Sequence, residues 1–389
     1  ENAAMHRPPP GQYRTIATSG EPFRAFVPAP LPPTPPVEWT PTLRRKFDDA
    51  LVALGRLDAV AAMLPNAALV HQSFVRKEAV LSSQIEGIQS SLTDLLLYEI
   101  DEQPDGPVED AHEVSCYIAA FEHGLARLRE GFPLSLRLIC EMHALLLDHP
   151  LGRGKAAPGH FRRSQVWIGG TQPSNAVFVP PPPDAVIHCL HDFERFLNDL
   201  PEATPPLLKA ALAHVQFEII HPFLDGNGRI GRLLILLQLV NDGVLYEPLV
   251  YPSLYSKKHR DLYYDLLNEV RLDGDWERWL DYFATGIEQS ATLALKAAQR
   301  LLELVAADRD RIMAMGRGAA SALAIHQSLQ RQPVTKAAAL VADTGLALAT
   351  VKRMLAKLED AGVVSELMRR RRTRVFIYRP YMDVLNTEL

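Results

Sequence analysis

Apolar residues recur along most of this chain at intervals of three and four, the spacing of one helix face. From Leu43 to Leu96 the pattern is helical with one punctuation at "LPNAA", and Phe74, Leu81, Ile85 and Ile88 fall on a single stripe. Two more helices are expected between Ala111 and Asp148, broken at "EGFPLS". Helical spacing returns after Asp184, runs through Ile220 and continues to about residue 300, where Trp276, Leu280, Phe283 and Ile287 mark another buried stripe. The period shortens only around Val166–Ile168 and Val177–Val179, with Gly169, Gly170, Pro173 and Asn175 between, which reads as a hairpin with a long tip. The Pro180–Pro183 run closes it.

The two ends differ from this helical body. Residues 1 to about 40 carry "RPPPGQ" and "PAPLPPTPPVEW" and read as an extended strap with little regular structure, held down by Phe23, Phe26 and Trp39. Its first dozen residues read equally as a disordered leader, and those ahead of Met5 as a cloning remnant. After residue 315, three helical stretches, with a "DTG" turn between the last two, precede "SELMRRRRTRVFIY", a two-stranded wing. That order is the order of a winged helix-turn-helix.

Composition narrows the class. The apolar share of 47% and charged share of 22% over 389 residues are those of a soluble globular protein of two or three domains. No apolar run approaches the ~18 residues of a membrane span, and no cationic start leads into an apolar segment. Cys116, Cys140 and Cys189 form no CxxC pair and read as buried structural thiols in a reducing cytoplasm. The net charge of −5 is uneven: from Met315 onward twelve Lys and Arg face six Asp and Glu, a balance of +6 that leaves −11 for the rest. A basic tail on an acidic body makes DNA a candidate partner of the tail alone, through Thr350, Lys352, Arg353 and Lys357 on its last helix and Arg369–Arg372 with Arg374 in the wing. A protein-docking or dimer module is the other reading of such a unit.

One loop concentrates chemistry. "HPFLDGNGRIGR", His221–Arg232, sets a histidine, an acid, three glycines, an asparagine and two arginines directly against the apolar "LLILLQLV". A helix start offers unpaired N–H groups and the positive end of its dipole, and glycines let backbone approach a phosphate. Gly226, Asn227 and Gly228 suit such a cradle, with Ile230 and Gly231 continuing it, and Arg229 and Arg232 supply permanently charged forks. Asp225 is a hard oxygen ligand suited to Mg²⁺, and His221 is the group able to accept a proton near neutrality. The sum is a triphosphate held at its phosphates with a base beside it. The plainer reading is a polar loop that caps a buried helix. Zinc is disfavoured, because no second His or Cys stands at ligand spacing.

The loop resembles the signature of the Fic family, HPFx(D/E)GNGRxxR, at every fixed position. Similar too are "GHFRRSQVWIGG…FVPPPP" before it, "SLYSKKHRDLYYDLL" after it, and "GEPFRAFVPAPLPP" with "RKEAVLSSQIEG" near the N-terminus. The resemblance implies a mainly α fold, with a Fic-type helical core, a β-hairpin flap and a C-terminal winged helix-turn-helix. It implies a protein adenylyltransferase moving AMP from ATP, with Mg²⁺, to a Ser, Thr or Tyr hydroxyl of a target protein or of itself, releasing pyrophosphate. Carried over, His221 is the general base and Asp225 holds Mg²⁺. Gly226, Asn227 and Gly228 form the anion cradle, Arg229 contacts phosphate and Arg232 meets the γ-phosphate. Val166, Trp167 and Ile168 resemble a flap that positions the target by strand addition. Tyr255, Tyr263 and Tyr264 are candidates for the adenine side.

"SSQIEG" resembles the family's inhibitory motif, (S/T)xxxE(G/N), through Ser82, Glu86 and Gly87, on a helix expected over about 72–90. A docked Glu86 would pair with Arg232 and take the space of the γ-phosphate. The expected division is an N-terminal region over 1–110, a catalytic core over 111–300 and the winged helix over 315–389. A homodimer is a further candidate assembly. Two alternatives stay open: a nucleotide-sensing DNA-binding regulator, and a Fic enzyme that removes AMP or moves another phosphate-containing group. Relatives that transfer phosphate carry lysine where Gly228 stands, which favours nucleotide transfer.

Overall fold

The computed structural model describes residues 9–17, 21–63, 67–101, 103–148, 157–370 and 373–387. The expectations for the first eight residues, for most of the "LPNAA" break and for Arg371 and Arg372 fall outside them. At the N-terminus the chain is more regular than a strap. Strands β1 (Gly11–Ile16) and β2 (Phe23–Pro28) pair antiparallel, Gly11 facing Pro28 and Ile16 facing Phe23. Alternation explains the pairing: Phe23 and Ala25 point inward and pack with Val179, while Arg24 turns out over the Tyr13 ring at 4.4 Å. The prolines that suggested irregular chain lie mostly beyond β2, where they lack the N–H needed to extend it. Phe23 and Phe26 are buried, and Trp39 meets Phe47 edge-on at 5.1 Å.

Helices then follow at nearly every stretch of helical spacing: α1 (Pro41–Met63), α2 (Ala67–Ile85), α3 (Leu92–Glu99), α4 (Val108–Arg129) and α5 (Leu136–Leu146). After the flap come α6 (Pro183–Leu197), α7 (Pro206–Ile220), α8 (Asn227–Asn241), α9 (Ser253–Lys258), α10 (Arg260–Asp273) and α11 (Trp276–Ala314). The last of these runs on to Ala314 instead of ending near 300. Trp276, Leu280, Phe283 and Ile287 form its buried stripe, as their spacing required.

The chain divides into two compact units. One comprises Glu1–Gly55, Cys116–Pro248 and Tyr255–Gln289. Its centre is the α7–α8 pair. Both helices are apolar on nearly every side, the pattern of a helix enclosed by others, and nearly all their residues are buried. The buried Lys209 ammonium of α7 is paired, reaching Asp199 at 2.7 Å and Asp242 at 3.1 Å. From α11, the Trp279 indole N–H donates to the Ala211 carbonyl at 3.0 Å. Cys116 and Cys189 are buried and Cys140 is half-buried; burial pushes the Cys140 and Cys189 thiols up to about 11.

The second unit comprises Arg56–Ser115, Leu249–Leu254 and Ser290–Leu389. Its tail holds three helices, α12 (Ala319–Arg331), α13 (Ala337–Thr344) and α14 (Leu348–Asp360), then a hairpin of β4 (Ser365–Arg370) and β5 (Thr373–Ile377). Two further elements escaped the sequence reading. Strand β3 (Val334–Lys336) joins β5 to give a sheet ordered β3-β5-β4, and α15 (Arg379–Asn386) follows. A three-residue strand and an eight-residue helix are too short to register as periods.

Buried polar groups lock this tail. The Tyr378 hydroxyl donates to Asp308 at 2.6 Å and lies 3.0 Å from His326 Nε2, and Tyr381 meets Ser73 of α2 at 3.1 Å. Helix α2 stops at Ile85, short of the expected residue 90. Gly87, at φ 90°, turns the chain so that its N–H reaches the Gln84 carbonyl and the Ile88 N–H reaches Ser83. Among the described residues no helix is long and apolar enough to cross a membrane.

Candidate active site

The six residues from His221 to Gly226 join α7 to α8, and their conformation follows from the residues that hold them. His221 caps α7 in the left-handed region, at φ 48° and ψ 61°, a costly backbone state for a residue with a Cβ. Its N–H still bonds to the Phe217 carbonyl at 2.9 Å, and its Nδ1 lies 3.3 Å from the Glu218 carbonyl. A carbonyl only accepts, so Nδ1 carries a proton, and in the neutral ring the lone pair falls on Nε2. That tautomer is the one a general base needs.

Asn227 then folds back across the loop. Its Oδ1 accepts the Phe223 N–H at 2.9 Å and its Nδ2 donates to the Phe223 carbonyl at 3.0 Å. The side chain therefore clasps the loop. Gly226 precedes it at φ 76° as the N-cap of α8, which has no side-chain cap and no acid in its first turn. A Cβ on Gly226 would stand 3.2 Å from Leu146.

Beneath the loop lies His143 of α5. Its ring stacks on Phe223 at 3.6 Å and 8°, its Nε2 donates to the Asp225 carbonyl at 3.0 Å, and its Nδ1 accepts the Gly159 N–H at 2.9 Å. One donor and one acceptor define a neutral imidazole. Burial keeps it so, holding its pKa near 4.

The Asp225 side chain points outward, 54% exposed, with Oδ1 accepting the Gly226 N–H at 2.7 Å and lying 3.9 Å from Arg229. Arg229 and Arg232 are 4% and 3% exposed. Both rise from the first turns of α8, where the helix dipole favours negative charge. Gly228, just ahead of Arg229, is half-buried. Ile230 is fully buried in the core. Gly231 faces α7, where a Cβ would come within 2.7 Å of Glu218 Oε1 and 3.4 Å of His214. At both positions the helix packs closely against its neighbours.

The flap is less regular than a two-stranded hairpin. A single bridge, Ile168 to Phe178, joins its legs with bonds of 2.8 and 3.1 Å. Its tip is organised by Asn175, whose Oδ1 accepts the Thr171 and Gln172 N–H groups. Trp167, Ile168 and Val177 are exposed on it, while Val166 is half-buried. Phe178 anchors the second leg under the Arg271 guanidinium at 4.5 Å.

The three tyrosines separate. Tyr263 is 1% exposed, hydrogen-bonded to His214 at 2.7 Å and ringed by Trp279, Tyr282 and Tyr264, so it is a core residue and not an adenine contact. Tyr264 is half-buried under Arg260, and Tyr255 is half-buried between His259 and Tyr282.

In the second unit, Ser82 is buried near the end of α2. Glu86 follows one residue past the helix, exposed in the turn that Gly87 completes. In the tail, Lys352 and Arg353 are exposed on α14, Thr350 is half-buried and Lys357 donates to the Arg317 carbonyl at 3.2 Å. Arg374 is taken out of any basic wing surface by Glu359 at 2.8 Å and by Glu366.

Residues 44–126 match the Fic/DOC family N-terminal domain, and residues 133–239, which include the whole loop, match the Fic/DOC family domain. The site lies in a stretch that matches a Fic domain. Protein adenylyltransferase Fic of Drosophila yakuba is 34% identical over 199 residues, and that of Drosophila melanogaster 33% over the same length. Each alignment covers 51% of this chain and 37% of the relative's own length. The fold is that of a Fic family protein from Desulfovibrio desulfuricans G20, with a TM-score of 0.57 at 22% identity over 88% of this chain and 97% of that one. Fic-1 from C. elegans superposes with a TM-score of 0.51 at 24% identity, over 67% of this chain and 74% of its own.

Three residues of the Fic domain escaped the sequence reading: His143, His214 and Arg162. Arg162 stands in "GHFRRS" and His143 in an ordinary helical stripe. Each acts on backbone or rings distant in sequence, and no local signal marks that.

Proposed function

We propose that this chain is a protein adenylyltransferase, with ATP as donor and a Ser, Thr or Tyr hydroxyl of a target protein, or of the chain itself, as acceptor. The observation that carries the reading is His221, held with Nδ1 protonated at the rim of a loop that also presents Asp225, Arg229 and Arg232 at an uncapped helix start. In the reaction the acceptor oxygen attacks the α-phosphorus and its proton passes to His221 Nε2. The bond from the α-phosphorus to the bridging oxygen breaks, and pyrophosphate leaves. Arg229 and Arg232 neutralise phosphate charge, and the first peptides of α8 cradle it. Exposed flap residues Val177 and Ile168 suit an extended target segment lying alongside.

Asp225 fits Mg²⁺. It is an outward-facing carboxylate, and among the described residues no cluster of three His, Cys, Asp or Glu could hold a metal unaided. The Asp225 carboxylate would hold such an ion, which would supply charge neutralisation to the phosphates.

Glu86 is assigned as the brake, on the motif it shares with Ser82 and Gly87. The cytoplasm is assigned as the compartment, on the free thiols. On α14, exposed Lys352 and Arg353 favour DNA as a partner of the tail.

Mass spectrometry of the full chain after incubation with ATP and Mg²⁺ tests the reaction. Added AMP is expected on Ser, Thr or Tyr, more of it in Glu86→Gly and none in His221→Ala. Equal labelling in His221→Ala would remove the base, and equal labelling in Glu86→Gly would remove the brake.

A further inference from the structure

One buried side chain outside the loop touches both halves of the proposed chemistry. Arg162 is 3% exposed and lies just before the flap. Its guanidinium donates to four carbonyls: Nε to His221 at 2.7 Å, Nη2 to Pro181 at 2.6 Å and to Ile220 at 3.3 Å, and Nη1 to Ser164 at 3.2 Å. Its own N–H donates to the Pro222 carbonyl at 2.9 Å. Ser164 and Pro181 are the feet of the two flap legs. Ile220, His221 and Pro222 are the last residue of α7 and the first two of the loop. A single planar fork thus spans both, which a lysine ammonium cannot do.

The contacts answer two needs. His221 sits in a left-handed backbone state that persists only where its surroundings fix it. The His221 N–H on the Phe217 carbonyl and the Arg162 backbone N–H on the Pro222 carbonyl do much of this whatever side chain stands at 162, and the guanidinium adds its bonds to the Ile220 and His221 carbonyls. The flap, meanwhile, has one bridge between its legs, and its second leg is also held by the Phe26 N–H on the Val179 carbonyl at 2.9 Å. Gln165 adds a brace between the legs, its Nε2 donating to Val166 and Pro180 carbonyls at 3.0 Å each. Burial lowers the Arg162 pKa to about 10, which leaves it cationic at neutral pH.

We propose that Arg162, with Gln165 as a second brace, is a positioning residue that sets the register between the flap and His221, and so aligns a flap-bound hydroxyl with the base. The consequence for turnover rests on the adenylyltransferase reading; the coupling itself does not. A displacement of about 1 Å between reacting groups costs on the order of 100-fold in rate. That loss falls on an acceptor the flap must place. Water, which the flap does not place, is affected far less.

The test uses the full chain carrying Glu86→Gly, with Arg162→Lys or Gln165→Ala added. Two rates are measured: AMP transfer to protein, and release of free AMP from ATP in water. Arg162→Lys is expected to lower protein transfer by about 100-fold, free AMP release by no more than a few-fold, and to leave KM for ATP unchanged. Gln165→Ala is expected to show the same split, smaller in size, and it decides the matter if Arg162→Lys does not fold. Amide hydrogen exchange is read in parallel, independent of any activity. Exchange at 164–168, 178–181 and 220–223 is expected to rise together in Arg162→Lys. A parallel fall of both rates, an unchanged transfer rate, or faster exchange on the flap alone would overturn the proposal. A parent chain that moves no AMP while the three segments still loosen together would overturn the enzyme reading and leave the coupling standing.

Discussion

Acidification is expected to loosen the α7–α8 pair through His214. This residue of α7 is buried, with its ring stacked on Trp279 at 5.7 Å and its Nε2 2.7 Å from the Tyr263 hydroxyl. Glu218 and Gly231 lie beside it, and the Arg232 charge is close enough to act on it. Burial, with Arg232 adding to it, holds its pKa at about 4 against an ordinary 6.5. Protonation is therefore easier in the unfolded chain. The neutral ring's contribution is complete above about pH 6.5 and is lost as pH falls toward about 4. A shift of about 2.5 units corresponds to about 3 kcal/mol, or about 1.4 kcal/mol per pH unit within that window. His214→Gln keeps a polar group for Tyr263 and removes the titration. Urea unfolding of both proteins, followed by tryptophan fluorescence from about pH 7.5 to about pH 4.5, isolates the difference, since every carboxylate and His143 are common to both. The stability curve of the variant should be shallower by about 1.4 kcal/mol per pH unit below about pH 6.5. Parallel curves would mean that His214 is protonated in the folded chain, and the account of the seam would fail.

Two other expectations follow from single contacts. Gly231→Ala places a Cβ within 2.7 Å of Glu218 Oε1, and overpacking of this kind costs ~1–3 kcal/mol. Calorimetry should show a melting temperature lower by roughly 2–4 °C for each kcal/mol; an unchanged value would mean that Glu218 moves aside freely. Replacing Lys352 and Arg353 together by alanine should weaken binding to mixed-sequence duplex DNA and reduce the slope of log affinity against log salt by about two. Equal affinity and slope would leave these exposed cations of α14 without a nucleic-acid role.

Most of the helical body was legible because amphipathic spacing is a local property, written again in every turn. The loop was legible for a different reason: its histidine, acid, glycines and arginines are contiguous, so twelve residues carry the whole pattern. What the sequence hid is what depends on distance. The Nε of Arg162 meets a carbonyl 59 residues away, and His143 meets the loop 82 residues on. Tyr263, read as a nucleotide contact, turned out to face His214 across the core because helical spacing states which residues share a face and not what that face meets. The flap, read as a hairpin with a long tip, has its legs joined by a single bridge, because Gly169, Gly170 and a 3₁₀ turn at Pro173–Asn175 intervene between them. Order at the N-terminus was underread, because proline content outweighed the alternation of Phe23, Ala25 and Val27 in a short strand.

The polar wealth of the loop divides into two kinds of work, which composition alone could not separate. Asn227 spends both ends of its amide on the peptide groups of Phe223, Gly226 supplies a left-handed turn, and the peptides of His221 and Asp225 are held from outside by Arg162 and His143. None of these side chains is turned toward a ligand. With the backbone fixed in this way, the Asp225 carboxylate points outward while accepting the Gly226 N–H, and the His221 ring is held through Nδ1 on the Glu218 carbonyl. Preorganisation of this sort places catalytic groups before substrate arrives, so that binding energy need not be spent in assembling them. It also predicts where damage is worst: loss of a clasp such as Asn227 frees the loop that carries both His221 and Asp225, whereas loss of the Asp225 carboxylate costs the loop one backbone bond, from the Gly226 N–H.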